Sequence, residues 1–315
     1  MRGFIANTDY DWFTFLRAIE PPADEVNFWR PGSEASTFRV VQPGEPIFFR
    51  LKKPHYAIAG FGYFAHFSQL PVSIVWETYG VLNGAPSFGD MRTRLAHYRS
   101  RMGKSADLKS DFWIGCILVD QPVFFREEDW VREPEGFPHT GAMQGKSYDL
   151  TSGEGERVWM ECLARATPAH NAAIVDSAIE IPGGYGAPAL FRTRLGQRSF
   201  RIAILDSYGR RCSVTGERTL PVLEAAHIRD FATVQTHSID NGLLLRSDLH
   251  KLFDTGYVTV TPDYHFLVSR RIREEFENGR DYYALSGQAI RLPENPVHRP
   301  MSETLSWHNE EKFLG

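Results

Sequence analysis

The most constraining feature of this sequence is a segment at residues 211–255, in which short extended runs lead into a short helical run. Residues 220–228 predict a pair of strands around a Pro-containing turn and place His227 on a strand. A polar loop follows and closes on an Asp-Asn-Gly turn that contains Asn241. Residues 243–246 then predict a second short strand. We therefore expect two strands joined by a loop, with one polar side chain at each end of that loop.

A helix is predicted directly after the second strand. Ser247 resembles an N-cap, and residues 248–253 have the pattern of a short amphipathic helix. His250 and Asp254 are four residues apart, so both side chains project from one face of this helix. A histidine and an aspartate at that spacing can hold a divalent metal ion.

These residue types are those that metal-assisted hydrolysis of a phosphodiester requires. Neutral His227 can act as a general base near neutral pH. A metal held by His250 and Asp254 would polarise the phosphate and stabilise the leaving oxygen. The side chain of Asn241 can hydrogen-bond to the backbone across the loop and so orient the base. A lone histidine would more often be a core residue, but the whole constellation favours catalysis.

The pattern of His227, Asn241 and His250, spaced by 14 and then 9 residues, resembles the HNH endonucleases, whose core is called ββα-metal. The phrase NGLLLRSDLHKLFD and the lead-in RCSVTGE carry the same resemblance, which extends over about residues 190–285. It implies that His227 is the general base, that Asn241 fixes the loop and the base, and that His250 is a metal ligand. Asp254 matches the second ligand on the helix.

Two departures from the family pattern concern metal ligands. Many HNH proteins place a His or Asp ligand just before the base, where this chain has Ala226. Since alternate residues of a strand share a face, Glu224 is the candidate substitute, with water or backbone as alternatives. Many relatives also carry two CxxC pairs for structural zinc. Cys212 has Thr215 where its partner would stand, so we expect packing alone to hold this turn.

Arginines are concentrated just before this segment, in a chain whose net charge is −4. The window 191–211 holds six arginines and one acid. A solvated helix face and a surface that contacts phosphates are both compatible with such a run. The candidates for contact with the DNA backbone are Arg192, Arg194, Arg198, Arg201 and Arg211.

Composition limits the class of protein. The chain of 315 residues is 42% hydrophobic and 23% charged, which excludes wholesale disorder and suggests two domains. Its three cysteines form no CxxC pair, which favours a reduced, intracellular protein. The N-terminus lacks the apolar run of a signal peptide, and no stretch approaches 18 apolar residues. We therefore expect a cytoplasmic protein without membrane association.

The N-terminal half has the pattern of an α+β domain rich in strands. Its sequence PGEPIFFRLKKPHYAIAGFGYF, at residues 43–64, looks like the central hairpin of the PUA-like superfamily, which includes the EVE, ASCH and SRA domains. That resemblance implies a small β-barrel with a pocket at one end. We expect a PUA-like domain at residues 1–150, a helix and linker at 151–188, and an HNH endonuclease domain at 189–315.

A PUA-like reader joined to an HNH nuclease resembles the modification-dependent restriction endonucleases. The resemblance implies recognition of modified cytosine, 5-methyl or 5-hydroxymethyl, flipped into an aromatic pocket. Each tryptophan of an aromatic-rich domain is more often a core residue than a base contact. The candidates for the base pocket are Tyr10, Trp12, Trp29, Trp76 and Tyr79.

The sequence thus predicts a metal-dependent endonuclease of the restriction type that acts on double-stranded DNA. Mg²⁺ or Mn²⁺ is the expected metal, while histidine ligation also permits Ni²⁺, Co²⁺ or Zn²⁺. Cutting both strands needs two active sites, so a homodimer is expected. Two alternatives stay open: a nucleic-acid-binding protein with an inactive HNH unit, and an RNA-directed PUA-like protein.

Overall fold

The structure of the protein is a computed structural model that describes residues 1–32, 38–103, 110–139, 144–166, 195–229 and 238–315. The chain divides into two compact units, Met1–Gly196 and Gln197–Gly315. Arg192 and Arg194, two of the candidates for DNA contact, lie outside the described residues.

The first unit is built on one mixed sheet. Its strands, β1 to β7 in chain order, are Arg2–Thr8, Glu25–Arg30, Pro46–Leu51, Ala57–Pro71, Trp113–Phe124, Val131–Arg132 and Gly145–Asp149. The strand order is β2-β5-β4-β3-β1-β7, and β6 pairs with β4. The β1–β3 pair is parallel and the other pairs are antiparallel.

The α+β class predicted from the sequence is confirmed. Within the described ranges of the first unit, four α-helices accompany the sheet: α1 (Tyr10–Arg17), α2 (Val72–Tyr79), α3 (Phe88–Arg101) and α4 (Gly153–Arg165). The pairings among the described residues run in an open order, and they do not close the sheet into a barrel.

Strand β3 is buried on both faces, which explains its continuous apolar sequence. Phe49 points into one hydrophobic cluster with Trp12 and Phe13 of α1. Its neighbour Phe48 points into a second cluster with Trp159 of α4. Because successive side chains of a strand lie on opposite faces, one strand joins both cores of this unit.

Helix α4, which the sequence predicted within a helix and linker segment at residues 151–188, belongs to the first unit. Its buried side chains Val158, Trp159 and Cys162 pack into the same core as β3. Glu154 accepts hydrogen bonds from Arg157 and from the backbone N–H of Glu135, the latter at 2.7 Å, which ties the start of the helix to the chain after β6.

The second unit begins with helix α5 (Gln197–Ser207). A 3-10 turn at Leu220–Val222 precedes strand β8 (Leu223–His227), so the Pro-containing run forms one strand and not a pair. The reason is local, since Pro221 has no N–H to donate to a ladder. Strand β9 (Gly242–Arg246) and helix α6 (Ser247–Asp254) follow.

The remaining elements of the second unit follow helix α6 in the chain. They include β10 (Val258–Val260), β11 (Phe266–Val268), α7 (Arg271–Phe276), α8 (Arg280–Tyr283) and α9 (Ser302–Glu311). Strands β10 and β11 pair with each other in antiparallel register. Among the described residues the longest helix is α3, and none is long and apolar enough to cross a bilayer.

Trp12 is a core residue, and its substitution tests this placement. Its indole Nε1 donates to the Asn27 carbonyl at 3.3 Å, and its ring lies edge-on to Phe49 at 5.3 Å. We expect Trp12→Ala to lower the free energy of unfolding of the first unit by about 3–5 kcal/mol. Tyr10→Ala, at a residue that is 44% exposed and stacks on His55, should cost about 0.5–1.5 kcal/mol. Urea unfolding followed by circular dichroism measures both; an unchanged midpoint for Trp12→Ala would contradict the core placement.

The Glu154–Arg157 contact predicts a pH dependence of stability. Hydrogen bonds from Arg157 and from the Glu135 backbone lower the pKa of Glu154 to about 2. Because the folded-state pKa is depressed, the stabilisation is fully present above the ordinary carboxyl pKa and is lost as pH falls towards about 2. We expect Glu154→Gln to have a lower melting temperature than the parent chain at pH 7, with the difference shrinking below about pH 4.5. An equal difference at pH 7 and pH 3 would rule this contact out as the cause.

Candidate functional site

The hairpin β8–β9 and helix α6 form the frame of the candidate active site. The register pairs His227 with Gly242 and Glu224 with Leu245, so the hairpin opens at His227. Helix α6 begins directly after β9 and packs against both strands. Its side chains Leu249 and Phe253 are buried, which leaves the neighbouring face to His250 and Asp254. The strand, strand and helix order predicted from the sequence is therefore observed.

Asn241 closes the loop that joins the two strands. Its side-chain oxygen accepts from the Arg229 backbone N–H and its amide donates to the Arg229 carbonyl, each at 3.0 Å. Its own carbonyl accepts from the N–H of Ile228, also at 3.0 Å. Asn241 is 3% exposed, and its partly buried bonds hold the chain just after His227 in place.

The imidazole of His227 lies flat on Phe200 of α5. The ring centroids are 4.0 Å apart and the planes differ by 13°. Phe200 is fully buried, so it offers a fixed platform that sets the plane of the imidazole. The sequence reasoning missed Phe200, because it lies 27 residues before His227 and nothing in its own helix distinguishes it from other apolar positions.

His250 lies between two carboxylates. Its Nδ1 is 2.6 Å from Glu224 Oε2, and its Nε2 is 3.3 Å from Asp254 Oδ2. Because a carboxylate accepts hydrogen bonds, Nδ1 carries the proton towards Glu224. The side chain of Asp254 is 56% exposed and that of His250 is 22% exposed, so the Nε2 side of this group is open to solvent.

The donor set on this face suits a divalent cation. His250 Nε2 and an Asp254 oxygen are adjacent and supply one nitrogen and one carboxylate, a set that Mg²⁺ and Mn²⁺ accept when water and phosphate complete the shell. Ala226 is fully buried and offers no ligand. Within the described parts of the chain, no three His, Cys, Asp or Glu side chains are grouped closely enough to hold a metal without further ligands.

Hydrogen bonds take the place of a metal at the turn that contains Cys212. Its sulfur accepts from the backbone N–H groups of Thr215 and Arg246. The Glu217 carboxylate accepts from the N–H groups of Arg218 and Thr219 at 2.8 and 2.7 Å. Hydrogen bonds therefore contribute to holding this turn, in addition to the packing expected from the sequence.

An ion pair marks the start of helix α6. Arg246 Nε and Nη2 donate to the two Asp248 oxygens at 2.6 and 2.7 Å, and this fork lowers the pKa of the Asp248 carboxyl. Ser247, the N-cap predicted from the sequence, is instead the first residue of the helix, and the residue before it makes no side-chain cap bond.

The remaining basic candidates have mixed environments. Arg198 and Arg201 lie on α5, and the Arg201 Nε atom is buried. Arg210, in the same window, is held by Asp206 at 2.9 Å. Arg211 lies half-buried just before Cys212.

A second feature is a cavity of about 500 Å³ within the first unit. Its wall combines aromatic rings with cations and amides. The aromatic, cationic and imidazole side chains of this lining include Trp29, Arg30, Arg50, Lys52, Lys53, Tyr56, Tyr98, Arg101 and His139. Trp29 is the one candidate aromatic from the sequence that lies on this wall, with its Nε1 donating to the Asn83 carbonyl at 2.9 Å.

The structure places the other four candidate aromatics elsewhere. Trp12 and Tyr79 are buried in the core. Tyr10 stacks on His55 with ring centroids 4.6 Å apart, and Trp76 packs near Phe88. None of the four lines this cavity. Aromatic density alone could not separate the cavity wall from a sheet that is buried on both faces.

One wall of the cavity is a stacked and charge-paired group that sequence reasoning missed. Tyr56 and His139 stack with centroids 4.4 Å apart and planes 13° from parallel. His139 Nε2 is 2.5 Å from Glu133 Oε1. Arg50 donates to Glu133 and to Asn7, both at 2.6 Å. The residues come from three separate parts of the chain, so no local pattern connects them.

Comparison with known proteins gives one family match. Residues 212–261 match the family model described as HNH endonuclease. No curated protein matches the chain.

Several solved structures are similar at low sequence identity. The modification-dependent restriction endonuclease TagI is 12% identical, with a TM-score of 0.31, over 99% of this chain and 81% of its own. Two single-substitution variants of the ASCH protein from Zymomonas mobilis are 12% and 13% identical, each with a TM-score of 0.31. They cover 50% of this chain and 96% and 94% of their own.

The matched segment contains the hairpin, Asn241 and the His250–Asp254 face of helix α6. This segment, which lies within the second unit of the chain, is similar to the HNH endonucleases.

Proposed function

We propose that this protein is a metal-dependent DNA endonuclease of the restriction type, in which the second unit cuts DNA and the first unit selects it. The observation that most strongly supports this proposal is the arrangement of side chains around the β8–β9 hairpin. The ring of His227 stacks on Phe200, and the hydrogen bonds of Asn241 hold the backbone directly after His227. His250 and Asp254 lie together on the exposed face of α6.

His227 is proposed to act as the general base. It removes a proton from the attacking water, and the stack on Phe200 holds its ring plane while it does so. Asn241 acts through His227, since its bonds to Arg229 fix the backbone directly after the base. Asn241 is therefore a positioning residue.

His250 and Asp254 are proposed to hold the metal. When bound, the ion supplies Lewis-acid stabilisation of the negative charge on the phosphate and on the leaving 3′ oxygen. Mg²⁺ or Mn²⁺ suits this set best, and the histidine nitrogen also permits Ni²⁺, Co²⁺ or Zn²⁺.

Glu224 is proposed to position His250 and not to serve as the substitute ligand considered from the sequence. Its carboxylate accepts from Nδ1 at 2.6 Å, which leaves Nε2 on the side of Asp254. A carboxylate on the outer nitrogen of a ligating histidine fixes the tautomer and orientation of the ring.

The first unit is proposed to be a PUA-like reader of a modified base, with 5-methyl- or 5-hydroxymethylcytosine as the first candidates. The cavity supports this proposal, because a wall of Trp29, Tyr56 and Tyr98 offers aromatic surface to a flipped base. Flipping costs a few kcal/mol, which such contacts offset. The PUA-like fold class has a small closed β-barrel. We include a barrel of this kind in the proposal, beyond the open strand order of the described residues.

The proposed substrate is double-stranded DNA. Arg198, Arg201 and Arg211 of the second unit are the described candidates for phosphate contact. A homodimer is proposed because two cuts on opposite strands need two active sites.

Plasmid cleavage tests both halves of this proposal. With Mg²⁺ or Mn²⁺, the chain should cut a plasmid that carries 5-methyl- or 5-hydroxymethylcytosine and leave a matched unmodified plasmid intact. His227→Ala should lower the cleavage rate by about 10²–10⁴-fold, the usual contribution of a general base. His265→Ala is the matched control, since this half-exposed histidine contacts Asp263 at 3.0 Å. Equal cutting of both plasmids would keep the nuclease and refute the modified-cytosine reader.

Metal titration tests whether the second unit binds a divalent metal and whether Glu224 supports that binding. Calorimetric titration with Mn²⁺ should show one site per chain, and Asp254→Asn should abolish it. Glu224→Gln should weaken Mn²⁺ binding by about 10–100-fold, because it loosens the outer contact of His250. Glu217→Gln, at a carboxylate of the Cys212 turn, is the control and should bind Mn²⁺ normally. The absence of Mn²⁺ binding by the parent chain would favour an inactive HNH unit.

A further inference from the structure

The cavity of the first unit carries an excess of positive charge. Five of its lining residues are Lys or Arg and none is Asp or Glu. Arg50 is the compensated one, since Glu133 lies 2.6 Å away behind the wall. Within the described parts of the chain, Arg30, Lys53 and Arg101 form no ion pair. Charges of one sign around a concave site raise the local concentration of the opposite charge.

Two of these cations are partly shielded from water by the surrounding protein. Burial lowers the pKa of the Arg30 guanidinium, and its Nε atom is buried without a hydrogen-bond partner among the described residues. Displacement of water also lowers the pKa of Lys52, although part of that side chain remains exposed. Keeping cations partly dehydrated is unfavourable until an anion pairs with them.

The nearby acids are engaged by other partners. Asp9, whose charge acts on Lys52, accepts a hydrogen bond from the hydroxyl of Tyr98. Glu133 is shared between Arg50 and His139. The protein therefore neutralises Arg50 and leaves the other cations facing the cavity.

The aromatic wall is held at an energetic cost. Tyr56 has a φ of 46°, in the left-handed region that non-glycine residues rarely adopt. Its ring lies between His139, stacked at 4.4 Å, and the Arg50 guanidinium at 5.5 Å. Unfavourable backbone conformations persist where the surroundings hold them, and they are typical of ligand sites.

We infer that this cavity binds a nucleotide unit that brings a negative charge inside together with its base. The inference rests on the proposed reader function and specifies the class of ligand. The shared chemistry is an aromatic base with an anionic group beside it. The anion has two sources: the phosphate of the flipped nucleotide, or a carboxylate carried on the base. The volume of about 500 Å³ is within the range of pockets that enclose whole small ligands.

Calorimetry on the full chain with free ligands separates these sources. The probes are 2′-deoxycytidine, its 5′-monophosphate, 5-carboxy-2′-deoxycytidine and inorganic phosphate. We expect at least one of the two anionic cytidines to bind tenfold or more tightly than 2′-deoxycytidine and than phosphate alone. Preference for the monophosphate identifies the phosphate as the source, and preference for the carboxy nucleoside identifies the base. Equal binding of neutral and anionic cytidines, or equally tight binding of phosphate alone, would overturn the inference.

Matched variants locate the effect in the cavity. Lys53 and Arg101 are exposed lining residues, so Lys53→Gln and Arg101→Gln should fold normally and lose threefold or more of the preference for the anionic ligand. Arg126→Gln, at an exposed cation outside the lining, should keep it. Unchanged preference in both cavity variants would also overturn the inference. The assay needs no cleavage, so the modified-plasmid experiment can fail or succeed independently of it.

Discussion

The two hydrogen bonds between the Asn241 side chain and the backbone of Arg229 hold together the two ends of the loop that joins β8 and β9. They close the loop at the point where β8 ends and β9 begins, so both strands enter the hairpin in a fixed register. His227 is the last residue of β8, and its direction depends on that closure. Helix α6 starts at the other end of β9, so the same register determines where His250 and Asp254 stand. A buried amide suits this role because it donates and accepts at once and carries no charge that burial would penalise.

Local pattern was sufficient to predict the order of strand, strand and helix at the candidate active site. The Asp-Asn-Gly turn, the short apolar strand and the i, i+4 pair of His250 and Asp254 each depend on residues that are close in sequence, and each is observed. The partners that come from a distance were not predictable. Phe200 reaches His227 from another helix. Glu224 was considered as a metal ligand because strand alternation says which residues share a face but not what a side chain meets there.

In the first unit, contacts between residues distant in sequence limited prediction even more. Its sheet buries aromatic residues on both faces, so a tryptophan in this sequence carries little information about exposure. Trp29 lies on the cavity wall, whereas Trp12 and Tyr79 fill the core. The group of Tyr56, Arg50, Glu133 and His139 joins a turn, a strand and a later loop through contacts that only the folded chain creates. Charge pairing of this kind has no periodic signature.

The turn at Cys212 has a consequence for how this nuclease responds to its surroundings. Its sulfur accepts backbone N–H groups, and Glu217 satisfies others, so hydrogen bonding completes the turn without a structural ion. The proposed metal site, in contrast, lies on helix α6 at His250 and Asp254. Under the proposed mechanism, removal of divalent cations would stop cleavage and would leave these hydrogen bonds of the turn in place.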